Sequence, residues 1–147
     1  MIFDAHTHIH FPLYEKERDE VLKRAREAGV KMVCVGTQAA SSEAAVTLAK
    51  KYPGEIWATA GFHPNHFASA WYHDKKEQKE NEREEFDAKR LRKIAENPEV
   101  VAIGEFGLDY YRITDEKKEK ENQQEAFEVQ VEIAKDLNKA MMLHCRP

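Results

Sequence analysis

Short apolar runs that alternate with longer segments of helical period constrain the fold of this chain most strongly. Each run is rich in β-branched residues and nearly continuous in apolar character, as strands buried on both faces require. The five runs are Ile2–Ala5, Lys31–Val35, Ile56–Ala60, Val100–Ile103 and Ala140–Leu143. Because strand, helix and strand repeat in this order, we predict right-handed crossovers and a parallel sheet. The 147 residues suffice for one core, so residues 1–147 are expected to form a single α/β domain.

Four segments between these runs carry helical patterns. The first ends at Gly29, a residue type that readily takes the left-handed conformation after a helix. The second is predicted to open at Ser41 or Ser42, whose hydroxyl can cap free backbone N–H groups. The third is predicted to run from about Glu84 to Glu96. The apolar stripe of the fourth consists of Phe127, Val131, Ala134 and Leu137.

Five parallel strands are compatible with two architectures. They could form a small open doubly wound sheet or the first five staves of an eight-stranded barrel, and the sequence period does not choose between them. A complete barrel usually takes about 250 residues. The chain stops at Pro147, directly after the fifth run, so this strand is expected to offer unpaired backbone groups to another chain. Self-association through the open fifth strand, or disorder near the end, is therefore predicted.

Composition and charge limit the surroundings of the protein. The formal net charge of -4 argues against a surface built throughout to hold duplex DNA. No stretch approaches the roughly 18 apolar residues of a membrane span, and the N-terminus has no features of a signal peptide. Cys34 and Cys145 lie in apolar runs, where buried thiols are common and disulfides are not implied, so packing roles are expected. A cytoplasmic protein without a membrane partner is predicted.

Histidine and glutamate residues follow three of the predicted strands. His6 and His8 are two apart in an extended segment, so both imidazoles point to the same side and can reach one cation. Glu105 and His144 follow the fourth and fifth strands, where a buried carboxylate needs a cation or several donors to offset its desolvation. Catalytic residues of α/β barrels gather at this end of the strands, so these four residues predict a metal site bridged by Glu105. His10, also in phase, could be a third contact to the cation, but it is expected to be an exposed loop residue.

Each of these residues has a plainer alternative when it is taken alone. A His-x-His pair can arise by chance. Glu105 could merely cap the next turn, and His144 could be a core histidine bonded to backbone. The placement of four such side chains at the ends of three parallel strands favours the metal site.

Three further residues are candidates for contact with a substrate. His63, in Gly-Phe-His-Pro after the third strand, could donate a hydrogen bond to a phosphate oxygen or orient the nucleophile. Arg146 could clamp a phosphate with its forked donors, and Tyr110 lies close to the proposed metals in sequence. The segment from Asn65 to Lys79 is expected to be a long loop. In a functional alternative its aromatic residues form a lid or a platform for nucleobases: Phe67, Trp71 and Tyr72.

Several motifs, in a fixed order and spacing, carry a family resemblance. They are Asp4-Ala5-His6-Thr7-His8, Gly61-Phe62-His63-Pro64, Gly104-Glu105-Phe106-Gly107-Leu108-Asp109-Tyr110-Tyr111 and His144-Cys145-Arg146, with Gln123, Phe127, Gln130 and Ala134 before the last. Together they closely resemble the TatD family from Phe3 to Arg146. The resemblance implies part of a TIM-type (β/α)₈ barrel of the metal-dependent hydrolases, with about five parallel strands and four helices present.

The resemblance also implies an activity and roles for the candidate residues. Members of the family are similar in using two divalent cations (Mg, Mn or Zn) for deoxyribonuclease activity, often at a 3′ end, so single-stranded DNA is the implied substrate. Carried over by motif, His6 and His8 would hold one metal, Glu105 would bridge two and take part in catalysis, and His144 would hold the second. His63 would lie beside the scissile phosphate as a catalytic and substrate-binding residue.

Departures from the family pattern qualify what this chain is expected to do alone. Ala140 stands where a proline is common, and Phe106 replaces a more usual aliphatic residue. The pattern continues with a histidine after the sixth strand and an aspartate after the eighth, so the chain is expected to be a truncated member with an incomplete site. Two alternatives of other classes are a hydrolase acting on an amide, lactone or non-nucleic ester, and a non-catalytic metal-binding or interaction fragment.

Overall fold

A curled parallel sheet forms the centre of the protein. The computed structural model describes residues 2–68, 71, 73–79, 83–111 and 113–147. The strands are β1 (Ile2–Thr7), β2 (Val30–Cys34), β3 (Ile56–Ala60), β4 (Val100–Asp109) and β5 (Ala140–Arg146). Their order in the sheet is β1-β2-β3-β4-β5 and every neighbouring pair is parallel. A doubly wound sheet requires the strand order to reverse, so the described strands form the predicted partial barrel instead.

Four helices accompany these strands. They are α1 (Arg18–Glu27), α2 (Ala39–Lys51), α3 (Ala88–Ala95) and α4 (Glu116–Asp136), with short 3₁₀ turns at Pro12–Tyr14 and Pro64–Phe67. The predicted start of α2 at Ser41 or Ser42 is wrong, because Ser41 lies inside the first turn and its hydroxyl accepts from the Gln38 backbone N–H at 3.0 Å. The predicted start of α3 at Glu84 is also too early. Asp87 caps this helix by accepting from the N–H groups of Lys89 and Arg90.

The core lies between the outer face of the sheet and the helices. Phe106 and Ile103 on β4 are fully buried, and the ring of Phe127 on α4 packs 5.3 Å from that of Phe106. Leu91 and Ile94 of α3 join the same cluster. The apolar stripes of the helices are therefore buried against the sheet, as their period predicts. Among the described residues, none of the helices has the length and apolar character that crossing a bilayer requires.

The two outer strands differ from the prediction that every run is buried on both faces. Phe3 on β1 is 50% exposed and Leu143 on β5 is 56% exposed, because each of these strands has only one neighbour among the described strands. Cys145 is exposed on β5 for the same reason, so the packing role expected for it is wrong. Cys34, on the inner strand β2, is buried as expected, and burial raises the pKa of its thiol to about 12.

Candidate metal centre

The carboxylate of Glu105 lies among three imidazoles at the carboxyl ends of the strands. Its Oε2 is 3.3 Å from Nε2 of His6, and its Oε1 is 3.0 Å from Nδ1 of His144. Nε2 of His63 lies 3.7 Å from the same Oε1. The two oxygens of one carboxylate therefore face different histidines.

The backbone around Glu105 is held by the ends of β2 and β3. β4 extends to Asp109, so Glu105 lies within this strand rather than after it. The register with β5 shifts between Ile103 and Phe106, and in this interval the Glu105 N–H donates to the carbonyl of Gly36 at 2.8 Å. The buried hydroxyl of Thr59 accepts from the Gly36 N–H and donates to the carbonyl of Gly104. These contacts fix the position of the Glu105 backbone, from which the side chain extends.

Among the described residues, two groups of side chains could each hold a cation. His6, His8 and Glu105 form one, and His63, Glu105 and His144 form the other, with the ligand atoms of each group within 4.8 Å of one another. Both groups contain Glu105. The structure thus brings together all four predicted ligands, two from the β1 end and one each from β4 and β5.

Hydrogen bonds select which ring nitrogen of two histidines faces the centre. Nδ1 of His8 lies 3.0 Å from the carbonyl of Val35, to which it can only donate. Nε2 of His144 lies 3.0 Å from Oδ2 of Asp109 and donates to this carboxylate. In a neutral ring the other nitrogen then carries a lone pair, so Nε2 of His8 and Nδ1 of His144 are in the form that ligates metal.

In His63, unlike in His8 and His144, the ring nitrogen that faces the centre carries the proton. Its Nδ1 accepts a hydrogen bond from the backbone N–H of Asn65 at 3.1 Å. Burial, followed by the neighbouring His144 and His66, lowers the pKa of His63 to about 3, so the ring is neutral and its proton lies on Nε2. That nitrogen is a donor in this form. His63 is therefore better suited to bind an anionic oxygen than to ligate a cation.

Asp109 is a site residue that sequence reasoning missed. It is buried at the end of β4 and accepts from His144 and from Nε and Nη2 of Arg146, at 3.0 Å and 2.6 Å for the latter two. Burial by itself raises the pKa of Asp109, but the bonds from Arg146 and His144 outweigh it and the pKa is lowered. Its spacing of four from Glu105 places both on one face of the strand, and this was the signal that could have revealed it.

Arg146 and Tyr110 make their described contacts with neighbouring residues of the protein. The guanidinium of Arg146 is held by Asp109 and lies 4.7 Å from the ring centroid of Tyr111. Tyr110 donates its backbone N–H to the carbonyl of Arg146, and Lys120 Nζ lies 4.8 Å from its ring centroid. The substrate-binding roles of Arg146 and Tyr110 stay predictions.

A cavity of about 210 Å³, the central cavity, opens beside Glu105 and is lined among others by His8, His63 and Trp71. The segment 65–79 supplies one wall of it through His66 and Glu77, which sequence reasoning also missed. Burial alone raises the pKa of Glu77, but the bond from His66 and other donors lower it overall, so the carboxylate is ionised. The segment is therefore part of the site.

The aromatic residues of this segment are placed differently from one another. Trp71 lines the central cavity, whereas Phe67 packs against Phe62 and Phe86, with ring centroids 5.3 Å and 6.1 Å away. Tyr72 lies outside the described residues. The platform predicted as an alternative is thus reduced to Trp71 among those that the structure describes.

His10 is buried, so its predicted exposure is wrong. The residue is 5% exposed, and neither ring nitrogen has a hydrogen-bond partner among the described residues. Burial, with the neighbouring His8 and Arg18, lowers the pKa of His10 to about 3. Its position follows from Arg18, which binds the carbonyls of Ile9, His10 and Phe11 and draws this loop onto the protein.

The curled parallel sheet, the outer helices and the imidazole–carboxylate centre at the carboxyl ends of the strands define part of a TIM-type barrel with a candidate metal centre. The model of the family described as TatD related DNase matches residues 3–147, and the chain belongs to this family.

Relatives and a solved structure agree with this assignment. The chain is 40% identical over 146 residues to the 3′-5′ ssDNA/RNA exonuclease TatD of Erwinia tasmaniensis and 41% identical to that of Pantoea vagans. In both comparisons 99% of the chain aligns with 50% of the relative, so the chain spans about half the length of these curated relatives. The crystal structure of YjjV, a TatD homologue from Escherichia coli, is similar to the chain with a TM-score of 0.74 and 28% sequence identity. The match covers 99% of this chain and 51% of the YjjV chain.

Proposed function

We propose that the protein is a metal-dependent nuclease that hydrolyses phosphodiester bonds of single-stranded DNA from the 3′ end through two cations. The observation that carries this proposal is the position of Glu105, whose two carboxylate oxygens face two separate imidazole groups. The names of the relatives, 3′-5′ ssDNA/RNA exonucleases, support the substrate class and the direction.

In this proposal the side chains of the centre have different roles. His6 and His8 would hold one cation, His144 the second, and Glu105 would hold both. His63 would donate its Nε2 proton to a phosphate oxygen, since its Nδ1 is occupied by the Asn65 N–H. Asp109 positions His144 by accepting its Nε2 proton, and Arg146 keeps Asp109 ionised.

The donor set also indicates the kind of cation. Imidazole suits zinc and other transition metals, whereas magnesium prefers oxygen ligands. Three of the four proposed ligands are imidazoles, so we propose zinc rather than magnesium. When bound, two such cations supply the positive charge that activates a water and stabilises the attacking and leaving oxygens of an in-line displacement.

Hydrolysis of labelled oligonucleotides tests the proposal. The protein, a Glu105→Gln variant and a Glu128→Gln control on the exposed face of α4 are incubated with single-stranded DNA and Zn²⁺, Mn²⁺ or Mg²⁺, with a chelator in parallel. We expect stepwise shortening of 5′-labelled DNA by the protein and the control, and none by Glu105→Gln or with chelator. Cleavage that survives Glu105→Gln would contradict the proposal. If the protein hydrolyses nitrophenyl esters but does not hydrolyse DNA, the result would instead support a hydrolase that acts on non-nucleic esters.

The open edge of the sheet supports a second proposal about assembly. β5 pairs with β4 on one side only, and Met141 and Leu143 on it are exposed. Because an unpaired edge strand is a template for another strand, we propose that β5 pairs with a second copy of the chain. Light scattering over a range of protein concentrations is expected to show a dimer. A monomeric mass at all concentrations would contradict this proposal.

Both cysteines are free, which fits a reducing compartment, and we propose the cytoplasm as the location. Fractionation of cells that produce the protein is expected to place it in the soluble cytoplasmic fraction. Recovery with the periplasmic or membrane fraction would contradict this.

A further inference from the structure

A second cavity of about 370 Å³, the side cavity, lies beside the central cavity and has no part in the centre described above. Phe11 and Glu77 line both cavities, so the two share a wall. The rest of the side cavity is lined by His10, Gln38, Ala40 and Ala44, among others. The side cavity therefore lies directly beside the space next to Glu105.

Three polar atoms on two buried side chains of the side cavity lack hydrogen-bond partners among the described residues, although Nε2 of Gln38 donates to Oε1 of Gln78. Both ring nitrogens of His10 are without a partner among the described residues, and so is Oε1 of Gln38, a residue that is 1% exposed. A buried polar group without a partner costs about 1–3 kcal/mol of folding free energy, so two of them beside one cavity lower the stability of the fold. A ligand that bonds to them would remove this cost.

The charges around the side cavity are already compensated. Lys79 is paired with Glu15 at 2.6 Å. Glu84 accepts from the backbone N–H groups of Ala39 and Ala40, each at 3.0 Å, and Glu77 is bonded to His66 and Thr37. No uncompensated charge among the described residues therefore faces the cavity, and this favours a neutral ligand over an ion.

The remaining lining defines the shape and polarity of that ligand. The ring of Phe11 lies against His8, with centroids 4.4 Å apart, and its edge meets His10 at 4.7 Å. Gln38 Oε1 is an acceptor, and a neutral His10 offers one donor and one acceptor nitrogen. A planar neutral ring whose edge carries donors beside acceptors fits this set, and the Watson–Crick edge of every nucleobase has this pattern.

We infer that the side cavity binds a nucleobase, namely that of one of the two nucleotides flanking the phosphodiester held at Glu105. This inference rests on the proposed function, because it places the sugar–phosphate in the central cavity. His10 and Gln38 would bond to the edge of the base, and Phe11 would contact it at the wall between the two cavities.

Base-specific fluorescence can separate this inference from the proposed function. The probes are single-stranded oligonucleotides with a 5′ dye and with 2-aminopurine at the terminal or the penultimate 3′ position, carrying phosphorothioate linkages that slow cleavage. Dye anisotropy in Mn²⁺ reports binding of the whole strand. Quenching of 2-aminopurine reports whether its base has left solvent and entered the protein.

One variant fills the side cavity, a second removes the ring nitrogens of His10, and a third serves as a control. The double substitution Ala40→Leu, Ala44→Leu fills the space from two exposed positions of α2. His10→Phe keeps an aromatic ring but removes both nitrogens, and thermal unfolding should show no loss of stability because no hydrogen bond is lost. Ala28→Leu changes an exposed alanine after α1 and should behave like the unmodified protein.

The expected results differ between these proteins. One of the two probes should be quenched by the unmodified protein and by Ala28→Leu. The double variant should weaken that quenching titration roughly fivefold or more, the order of a lost base contact, and His10→Phe roughly two- to tenfold, the order of a lost hydrogen bond.

Three outcomes would overturn the inference. Quenching that is unchanged in the double variant, or strand binding without quenching of either probe, would show that no base enters the side cavity while leaving the proposed nuclease function intact. Absence of strand binding by the unmodified protein would contradict both.

Discussion

Gln130 on α4 binds both polar groups of the Phe62 backbone: its Oε1 accepts from the N–H at 2.8 Å and its Nε2 donates to the carbonyl at 3.2 Å. Gln123, seven residues earlier on the same face, binds Asp109 in the same way, at 2.8 Å for each bond. Phe62 directly precedes His63, and Asp109 orients His144. The two amides therefore fix, from outside the sheet, the backbone that carries two side chains of the centre.

Gln130→Leu is expected to lower the free energy of unfolding by about 2–4 kcal/mol, because it leaves two buried backbone groups of Phe62 without partners. Urea denaturation provides the measurement. Gln124→Leu, at an exposed position of the same helix, should change this free energy by about 0.5 kcal/mol or less. Equal losses in the two variants would contradict the role assigned to Gln130.

Asp109→Asn is expected to weaken cation binding about 10- to 100-fold, since the amide no longer holds His144 in the ligating form as a carboxylate does. Calorimetric titration with Zn²⁺ or Mn²⁺ measures the affinity. Asp19→Asn, an exposed acid of α1, is the matched control and should bind as tightly as the unmodified protein. An unchanged affinity in Asp109→Asn would show that His144 is oriented by other contacts or does not ligate.

Gly107→Ala is expected to disturb both the fold and the centre. Gly107 has a φ of 157°, and a Cβ there would lie 1.8 Å from the carbonyl oxygen of His144, so β5 would have to move. We expect a loss of about 1–3 kcal/mol in unfolding free energy and weaker cation binding. Gly54→Ala strains a position with φ of 78° where a Cβ meets no atom within 4 Å, so it should lower stability without changing cation affinity. Equal affinities in the two variants would contradict the coupling between Gly107 and His144.

The two thiols are expected to differ in reactivity. Cys145 is exposed and should react with a disulfide reagent at pH 8 in the native protein, whereas buried Cys34 should react only after denaturation. A rapid reaction of both thiols in the native state would contradict the buried position of Cys34.

The same burial predicts a loss of stability in alkali. The pKa of the Cys34 thiol is raised to about 12, while an unfolded thiol loses its proton near pH 8.5. Above that pH the unfolded chain releases a proton that the folded chain retains, so this contribution to stability is present at lower pH and is lost as pH rises from about 9 to 12. The expected slope is about 1.4 kcal/mol per pH unit, measured as the difference between the unmodified protein and Cys34→Ala. Identical pH profiles of unfolding free energy for the unmodified protein and Cys34→Ala would contradict this prediction.

The sequence predicted the fold well where local pattern decides the structure. β3 has the predicted bounds, Ile56–Ala60, because its apolar run is also an inner strand. The pattern did not predict that β4 continues to Asp109, since Gly104, Glu105 and Gly107 interrupt the apolar period and only pairing with β5 extends the strand. The exposure of β1 and β5 depends on which strands lie beside them, and this is not encoded in either run.

The centre was predictable to the extent that strand ends define it. Four residues on three predicted strands meet because the carboxyl ends of parallel strands share one edge of a sheet. Glu77 and His10 were not predictable in this way, because their loops have no period. Their positions depend on a few side-chain contacts, of Glu77 with His66 and Thr37 and of Arg18 with the loop that carries His10.

The ligand pair His6 and His8 belongs to one border of the sheet, and Glu105 lies three strands away on β4. A cation bound by both would cross-link β1 to β4, stabilise the curled form of the sheet and slow local unfolding of β1. Bound at a hundred times its dissociation constant, such a cation would add about 2.7 kcal/mol to the stability of the closed form. Amide exchange along β1 should therefore slow on loading while that of β3 changes little, so the metal content of a sample would report how completely its outermost strand is held.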